Sequence, residues 1–340
     1  MARPAGGDFD PAGGGRGEGG PTRNGVDVGD LVERARRGEQ RAVGRLLSLV
    51  ENGGPQLREV AAALAPHTGR AHVVGITGSP GVGKSTSVSV LVGALRATGR
   101  RVGVLAVDPS SPFSGGALLG DRVRMGEHAT DDGVFIRSMA TRGHLGGLAW
   151  ATPQALRVLD AAGCDVVLIE TVGVGQSEIE VVALADTTVV LLAPGMGDGV
   201  QAAKAGILEV ADVFVVNKAD RDGADRTVRD LRYMMSLGAG GSDWTRPVVR
   251  TVAVRAEGAQ DLVAALDAHR EWLDAAGERQ RRRLARAESE IQAVTLEQVR
   301  ARIVAASGSA TLPELAKRVV AGELDPYRAA DELMGSVRGP

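Results

Sequence analysis

The residues with the clearest chemical potential form a glycine-rich stretch, Gly78-Ser79-Pro80-Gly81-Val82-Gly83-Lys84-Ser85-Thr86. It follows an apolar run and precedes a segment of helical character, and it matches the phosphate-binding pattern G-x-x-x-x-G-K-[ST]. Glycines let the backbone turn several N–H groups towards an anion, and the start of the helix adds the positive end of its dipole. Lys84 is therefore predicted to contact the β- and γ-phosphates of a nucleotide, and Ser85 to ligate Mg²⁺.

A second motif, Asn217-Lys218-Ala219-Asp220, follows the apolar segment 212–217 and bears on the choice of base. The carboxylate of Asp220 can accept hydrogen bonds from N1 and the exocyclic N2 of guanine, whereas adenine offers no such pair of donors. Asn217 and Lys218 would brace the loop and cover the ring. The motif lies at a strand end about 130 residues after the phosphate loop, which predicts GTP rather than ATP.

A third motif, Glu170-Thr171-Val172-Gly173, ends the apolar run 166–170. Glu170 is predicted to hold Mg²⁺ directly or through a water, and the Gly173 N–H to contact the γ-phosphate. Loss of that contact on hydrolysis would release 174–178 as a switch, in which Gln176 is the nearest candidate for positioning a water. A strand-end carboxylate at the start of a helix is the alternative interpretation of Glu170.

Two further acids, Asp108 and Asp121, flank a stretch rich in Pro, Ser and Gly. Asp108 ends a strand that reaches Val107, and we expect this strand directly beside that of the phosphate loop. Both carboxylates would then suit Mg²⁺ near Ser85, and the stretch between them has the composition of a mobile switch. A helix or turn cap explains Asp108 equally well.

Around these motifs the chain alternates apolar strands with helices. Strands are predicted at 72–77, 102–107, 134–138, 166–170, 187–193, 212–217 and 248–253, with helices at 84–98, 153–162, 177–184, 200–210 and 224–236. Several strands are continuous Val, Ile and Leu runs, which are typical of a parallel sheet covered on both faces. The pattern predicts a doubly wound α/β domain with a mostly parallel sheet, whose ligands bind beyond the C-terminal strand ends.

The patterning divides the chain into four regions. The first holds ten glycines and three prolines within residues 1–30 and predicts disorder. The second has apolar residues at helical spacing, and the last contains two long helical segments, 259–276 and 278–306, which could form a dimerisation arm. The expected regions are a tail over 1–29, a helical extension over 30–68, the P-loop domain over 70–258 and a helical arm over 259–340.

Composition excludes several classes of function. The formal net charge of −2 gives no field for nucleic acid or an anionic membrane surface, so the basic run from Arg279 to Arg286 is predicted to be a solvated helix face. A single cysteine, Cys164, excludes a disulfide framework and a Cys₄ zinc site, and the five histidines show no metal-ligand spacing. No apolar run approaches the roughly 18 residues of a membrane span, and no signal-peptide pattern is present. We expect a cytoplasmic protein.

The motifs are more particular than those of a generic GTPase, and together they resemble the MeaB/ArgK-type GTPases. These are chaperones of adenosylcobalamin-dependent methylmalonyl-CoA mutase, related to the human methylmalonic aciduria type A protein. The segments that carry the resemblance are Gly78 to Thr86, Val107 to Pro112, Gly120-Asp121-Arg122, Glu170 to Glu178 and Pro194 to Asp198.

The resemblance implies a homodimeric GTPase that binds the mutase, gates delivery of cobalamin and protects the enzyme from inactivation. The adenosyltransferase that delivers cobalamin is a further partner implied. Family roles carried over are phosphate binding by Lys84, binding of Mg²⁺ and its waters by Ser85, Asp108, Asp121 and Glu170, guanine binding by Asn217, Lys218, Asp220 and the loop at Ala253, and coupling to the mutase by Asp198, Gln201 and Lys204. One departure is Val252, where the family tends to have Ser before the alanine of the guanine loop, so a side-chain hydroxyl is absent there.

The motifs do not identify a general base, so intrinsic hydrolysis should be slow and a partner should accelerate it by ordering the switches. Three other functions are alternatives to the mutase chaperone. A nickel-inserting GTPase would need a Cys/His site, which the single cysteine argues against. A kinase of a transport system, the older ArgK label, fits the Glu170 switch motif less well. A GTPase with no link to cobalamin is the third.

Overall fold

The computed structural model describes residues 27–108, 126–128, 130–140, 147–171, 183–195, 210–237, 243–306 and 311–337. Residues 1–26 of the predicted disordered tail and most of the helices predicted at 177–184 and 200–210 lie outside these ranges, whereas Val28 and Gly29 of the predicted tail begin the first helix. The strands are β1 (His72–Gly78), β2 (Val102–Asp108), β3 (Val134–Ala140), β4 (Val166–Thr171), β5 (Thr187–Leu192), β6 (Val213–Val216) and β7 (Val248–Arg250). The helices are α1 (Val28–Arg36), α2 (Gln40–Asn52), α3 (Leu57–Leu64), α4 (Lys84–Ala97), α5 (Gly147–Ala161), α6 (Ala224–Leu237), α7 (Ala259–Ala275), α8 (Glu278–Ala306), α9 (Thr311–Val320) and α10 (Pro326–Val337).

The strands form one parallel sheet in the order β3-β2-β4-β1-β5-β6-β7. Every residue of β5 and β6 is buried, because helices cover both faces of the sheet. One face packs against apolar residues of α4 and α7, and the other packs against α1, α2, α3 and α5. The predicted doubly wound α/β fold is confirmed.

The position of β2 differs from the prediction. β4 lies between β1 and β2, pairing Ile76 with Glu170 on one side and Ala106 with Glu170 on the other. The strand that ends at Asp108 is therefore not directly beside the phosphate-loop strand, and the prediction that it would be was wrong. The apolar runs of β2 and β4 are equally suited to a buried parallel strand, so the sequence pattern alone did not distinguish their places. Glu170 is thus the acid carried by the strand next to β1.

The helical extension begins slightly earlier than predicted and is divided into three helices. Asp27 caps α1 through its Oδ1 atom, which accepts a hydrogen bond from the Asp30 N–H at 3.0 Å. Arg34 donates from Nε to Glu39 Oε2 at 2.8 Å across the break between α1 and α2. The apolar faces of these helices pack on α5, as the helical spacing predicted.

Three aspartates cap the N-terminal edge of the sheet. Asp165, Asp186 and Asp212 each stand one residue before a strand. Their carboxylates accept hydrogen bonds from the backbone N–H groups of Arg101 at 2.7 Å, Val73 at 3.1 Å and Thr188 at 2.8 Å, respectively. These N–H groups lie at the starts of neighbouring strands, so each carboxylate joins two strands where the ladder begins.

The basic run at the start of α8 is not the solvated face that the sequence predicted. Arg282 lies 2.9 Å from the Asp212 carboxylate, and Arg283 lies 3.0 Å from that of Asp186, which Arg286 also contacts. Asp186 is fully buried. Two buried carboxylates need cationic partners, and α8 supplies them by crossing the N-terminal edge of the sheet. The distribution of charged residues along the sequence does not reveal these ion pairs, because their partners are distant in the chain.

The C-terminal helices carry exposed apolar side chains beyond the part of α8 that contacts the sheet. Those of Ile291, Leu296, Val320 and Tyr327 are 65%, 70%, 89% and 84% exposed. In the described part of the chain, no helix has the length and apolar character that crossing a membrane would require.

Candidate nucleotide-binding site

The phosphate loop joins β1 to α4, as the sequence predicted. Gly78 ends the strand, and Lys84 begins the helix. A Cβ atom at Gly78 would lie 2.3 Å from the carbonyl oxygen of Leu191, and one at Gly83 would lie 2.6 Å from Asn217 Nδ2. Both distances are shorter than van der Waals contact allows, and both residues have positive φ angles, 148° and 95°. The loop conformation therefore requires glycine at these two positions.

The side chain of Lys84 folds back over the loop that precedes it. Its Nζ atom donates hydrogen bonds to the carbonyl oxygens of Gly78 and of Ser79, the latter at 3.3 Å. The residue is 8% exposed. A buried ammonium group held by carbonyl oxygens at the mouth of a phosphate loop is placed to meet the negative charge of a nucleotide.

Ser85 and Glu170 face each other across the base of the loop. The Ser85 hydroxyl donates to Glu170 Oε1 at 2.7 Å, and Glu170 is 1% exposed. A hydroxyl and a carboxylate oxygen are the hard ligands that Mg²⁺ takes in nucleotide sites. The geometry brings these two predicted ligands together, and the donor chemistry fits that ion.

The other predicted metal and switch residues are not placed by the structure. The backbone of Asp108 ends β2, but its side chain lies outside the described part of the molecule. The remaining residues predicted to act here are also outside the described ranges: Asp121, Gly173, Gln176, Asp198, Gln201 and Lys204. Their roles stay predictions.

Asn217 connects the phosphate loop to the loop predicted to bind guanine. Its Nδ2 atom donates to the Val82 carbonyl at 2.9 Å, while Oδ1 accepts from the Ala253 N–H at 3.0 Å and from the Thr251 hydroxyl at 3.1 Å. Asn217 is 3% exposed. Because its donor and its acceptor are both used, this side chain fixes the separation of the two loops. The Ala253 N–H is bonded to Asn217. The predicted contact of Ala253 with guanine stays a prediction.

Lys218 and Asp220 lie at the open side of the same region. Lys218 has a left-handed backbone conformation, with φ of 57°, and its Nζ atom donates to the Gly81 carbonyl at 2.7 Å. Its methylene stem therefore runs from the base loop to the phosphate loop. The Asp220 carboxylate is partly exposed and lies 3.5 Å from Arg255 Nη1. This contact ties Lys218 to the phosphate loop, and its role in covering the guanine ring stays a prediction.

Two residues near the site were not identified from the sequence as functional. Thr251 and Arg255 lie close to the motif only because β6 and β7 are neighbours in the sheet. The signal that could have found Thr251 was its position after an apolar strand, at the sheet edge where the motifs gather. Nothing in the sequence distinguishes Arg255 from other arginines.

A cavity of about 1280 Å³ lies at the opposite edge of the sheet. Its lining includes Trp244, Trp272, Arg282 and Arg286, and none of the phosphate-loop residues. Within the lining, Arg282 pairs with Asp212 and Arg157 pairs with Glu290. This cavity is separate from the candidate nucleotide site.

Comparison with known proteins gives matches over most of the chain. The family model described as "Methylmalonyl Co-A mutase-associated GTPase MeaB" matches residues 43–308. A protein of Pyrococcus abyssi that is named as a GTPase is 47% identical over 318 residues, covering 92% of this chain and 97% of its own. The mitochondrial methylmalonic aciduria type A homolog of Mus musculus is 35% identical over 323 residues, covering 88% and 76%. The crystal structure of a LAO/AO transport system kinase matches with a TM-score of 0.67 at 26% identity, covering 92% and 98%.

Proposed function

The chain belongs to the MeaB family of methylmalonyl-CoA mutase-associated GTPases, and on that basis we propose that it is a chaperone of an adenosylcobalamin-dependent acyl-CoA mutase. GTP hydrolysis itself is the activity of the family and of the named relatives. The proposed role is to bind the mutase, with methylmalonyl-CoA mutase the first candidate, and to gate loading and protection of its cobalamin cofactor. The description of the family and the name of the mouse relative support this partner.

The single observation that carries nucleotide binding is the contact between Asn217 and Val82. It joins an N-K-x-D loop to a phosphate loop through a buried side chain, at the C-terminal edge of a parallel sheet. A nucleotide whose phosphates lie at the Gly83–Lys84 turn would present its base towards the other loop. The carboxylate of Asp220 would select guanine, because adenine lacks the paired donors.

In the proposed mechanism the chain positions GTP and stabilises charge as a water attacks the γ-phosphate. Lys84 and the N-terminus of α4 provide positive charge next to the phosphates. Ser85 and Glu170 would hold Mg²⁺, with Asp108 and Asp121 as further proposed ligands or partners of its waters. The ion, when bound, neutralises charge that develops on the phosphate oxygens.

We assign no general base. Gln176 is proposed to orient the water and Gly173 to sense the γ-phosphate, which makes both part of a switch that a partner orders. Asp198, Gln201 and Lys204 are proposed to transmit the nucleotide state to the mutase. Slow intrinsic hydrolysis that the partner accelerates follows from this arrangement.

The exposed apolar side chains of the C-terminal helices support a homodimer formed by the proposed arm over 259–340. Exposed groups such as Leu296, Val320 and Tyr327 would be covered by a second copy. The adenosyltransferase that supplies cobalamin is a further proposed partner. We propose a cytoplasmic location for these encounters.

Two other functions receive less support. A metal-inserting GTPase needs a cluster of ligands, and the described residues contain no group of three or more His, Cys, Asp and Glu that could hold an ion. Cys164 is buried, and burial raises the pKa of its thiol to about 12, which disfavours the thiolate that a metal would bind. The kinase named among the solved structures leaves phosphotransfer as an alternative, and the experiment below distinguishes it.

The test is GTP hydrolysis by the full chain, alone and with purified adenosylcobalamin-dependent acyl-CoA mutases. We expect slow release of free phosphate, a many-fold increase with the cognate mutase and no hydrolysis by Lys84→Ala. Lys317→Ala, an exposed lysine paired with Glu314, is the control for basal hydrolysis. Hydrolysis that no such mutase accelerates would refute the partner. Radioactive phosphate recovered on a protein or small-molecule acceptor, rather than as free phosphate, would favour the kinase.

A further inference from the structure

We propose that Arg255 positions the Asp220 carboxylate for guanine and so sets the nucleotide affinity of this chain. The inference rests on the proposed role of Asp220 as the residue that recognises the base. Arg255 belongs to no motif of the sequence, and it reaches Asp220 from the loop that follows β7.

The side chain of Glu257 fixes the orientation of the Arg255 guanidinium. Its Nε and Nη2 atoms donate to the two carboxylate oxygens of Glu257, at 2.7 and 3.4 Å. Its remaining terminal nitrogen, Nη1, lies 3.5 Å from Asp220 Oδ2. Two hydrogen bonds to one carboxylate fix the orientation of the planar guanidinium. The direction in which Nη1 faces Asp220 is therefore also fixed.

The backbone of this loop is also fixed. Val252 and Glu257 exchange two backbone hydrogen bonds, of 3.1 and 3.3 Å, and close a short turn that contains Arg255. Asn217 anchors the start of the turn through the Ala253 N–H. Arg255 is therefore carried by a loop that is joined to the phosphate loop, although its side chain is about half exposed.

The local sequence gives Asp220 few other ways to be held. The side chain of Val252 precedes the alanine of this loop and has no hydrogen-bond donor. The ammonium group of Lys218 is directed to the Gly81 carbonyl. In the described part of the chain, the ion pair formed by Asp220 is with Arg255.

A carboxylate has two oxygens and about four lone-pair positions, which allows it to bind an arginine and a base together. Arg255 occupies one position on Oδ2, and the others remain for N1–H and N2–H of guanine. By limiting rotation of the carboxylate, Arg255 lowers the entropy lost when the base binds. An exposed ion pair acts weakly, so the expected effect on affinity is modest.

The first experiment measures GDP binding and steady-state GTP hydrolysis for Arg255→Ala and Arg255→Lys in the full chain. We expect the Kd for GDP and the KM for GTP to rise roughly twofold to fivefold in Arg255→Ala, the range of an exposed ion pair, with kcat unchanged. Arg255→Lys should recover part of the affinity. Arg250→Ala is the matched control, because Arg250 is equally exposed and pairs with Asp225 at 2.7 Å. Unchanged or tighter GDP binding in Arg255→Ala would overturn the proposal.

The second experiment separates this proposal from the proposed function. Asp220→Asn should shift the preference from GDP to xanthosine diphosphate, because an amide can donate to the C2 oxygen of xanthine. In that background Arg255→Ala should no longer weaken GDP binding. If Asp220→Asn shifts the preference but Arg255→Ala has the same effect in both backgrounds, Arg255 does not act through Asp220. If Asp220→Asn leaves the preference for GDP intact, the base site and the role of Arg255 are both wrong.

Discussion

The side-chain amide of Asn217 donates a hydrogen bond to the backbone carbonyl of Val82 at 2.9 Å. The same side chain accepts hydrogen bonds from Ala253 and Thr251. One buried residue thus connects the phosphate loop to the loop predicted to bind guanine. It follows that the binding of phosphate and the binding of guanine should be energetically coupled through Asn217.

Asn217→Ala tests this coupling. It would leave the Val82 carbonyl and the Ala253 N–H without their partner, at a cost of about 1–3 kcal/mol for each buried group. We expect GDP affinity, measured by calorimetry, to fall by roughly 30-fold or more, where 1.4 kcal/mol corresponds to tenfold. Asn217→Asp keeps the acceptor but replaces the donor with a buried, negatively charged oxygen that faces the Val82 carbonyl, so its affinity should fall at least as far as that of Asn217→Ala. Wild-type affinity in both variants would contradict the coupling.

Gly83→Ala should also disrupt nucleotide binding, by a steric route. The new Cβ would lie 2.6 Å from Asn217 Nδ2 and would displace that side chain. Gly99→Ala is a matched control, since Gly99 has a similar φ of 83° but no atom within 4 Å of its Cβ position. In both variants an alanine must adopt a positive φ angle, which destabilises the fold by roughly 1 kcal/mol. This loss should lower the midpoint of thermal unfolding in both. Only Gly83→Ala should lose GDP binding, and equal binding by the two variants would show that the contact with Asn217 is unimportant.

The sequence identified the phosphate loop and the N-K-x-D loop because each pattern is local. Periodicity also predicted the parallel sheet and the bounds of its strands to within a few residues. It did not reveal that β4 separates β1 from β2, because strand order depends on packing among similar apolar runs. The pairing of Arg283 with Asp186 was missed for a related reason, since the two residues are 97 positions apart. Both errors concern partners that only the folded chain brings together.

Glu170→Gln should separate metal binding from folding. Glutamine is nearly isosteric and can still bond the Ser85 hydroxyl, but it lacks the negative charge that Mg²⁺ requires. We expect the Mg²⁺ concentration needed for half-maximal GTP hydrolysis to rise about 10- to 100-fold, and EDTA to abolish hydrolysis by wild type. GDP binding in the absence of Mg²⁺ should be little changed. An unaltered Mg²⁺ dependence would remove Glu170 from the metal site.

Asp186→Asn should destabilise the fold more than Asp165→Asn does. Each aspartate accepts a backbone hydrogen bond from a neighbouring strand, but Asp186 also pairs with Arg283 and Arg286. Removing the buried charge should lower the free energy of unfolding by about 3–5 kcal/mol, as measured with urea. Asp165→Asn changes an exposed carboxylate and should lower the free energy of unfolding by under about 1 kcal/mol. Equal losses would mean that the arginines of α8 contribute little at this edge.

Two buried histidines should make stability depend on pH. His72 Nε2 lies 2.7 Å from the Thr187 hydroxyl oxygen, which lies 2.8 Å from His269 Nδ1. Burial lowers the pKa of His72 to about 3 and that of His269 to about 4, although Asp186 and Asp212 oppose these shifts. The unfolded chain, with an ordinary histidine pKa of 6.5, takes up protons that the folded chain does not. The contribution of the two neutral histidines to stability is therefore fully present above pH 6.5, and it is lost as the pH decreases towards 4.

The size of this effect separates the two histidines from the many carboxylates that also titrate in acid. Each buried histidine adds up to about 1.4 kcal/mol per pH unit to the slope of unfolding free energy against pH. His269→Gln should therefore reduce the slope between pH 6 and 4.5 by roughly that amount, measured by urea unfolding across the range. His67→Gln, which changes a partly exposed histidine outside the network, is the matched control. A slope that His269→Gln does not alter would show that His269 is protonated to the same extent in the folded and unfolded chains.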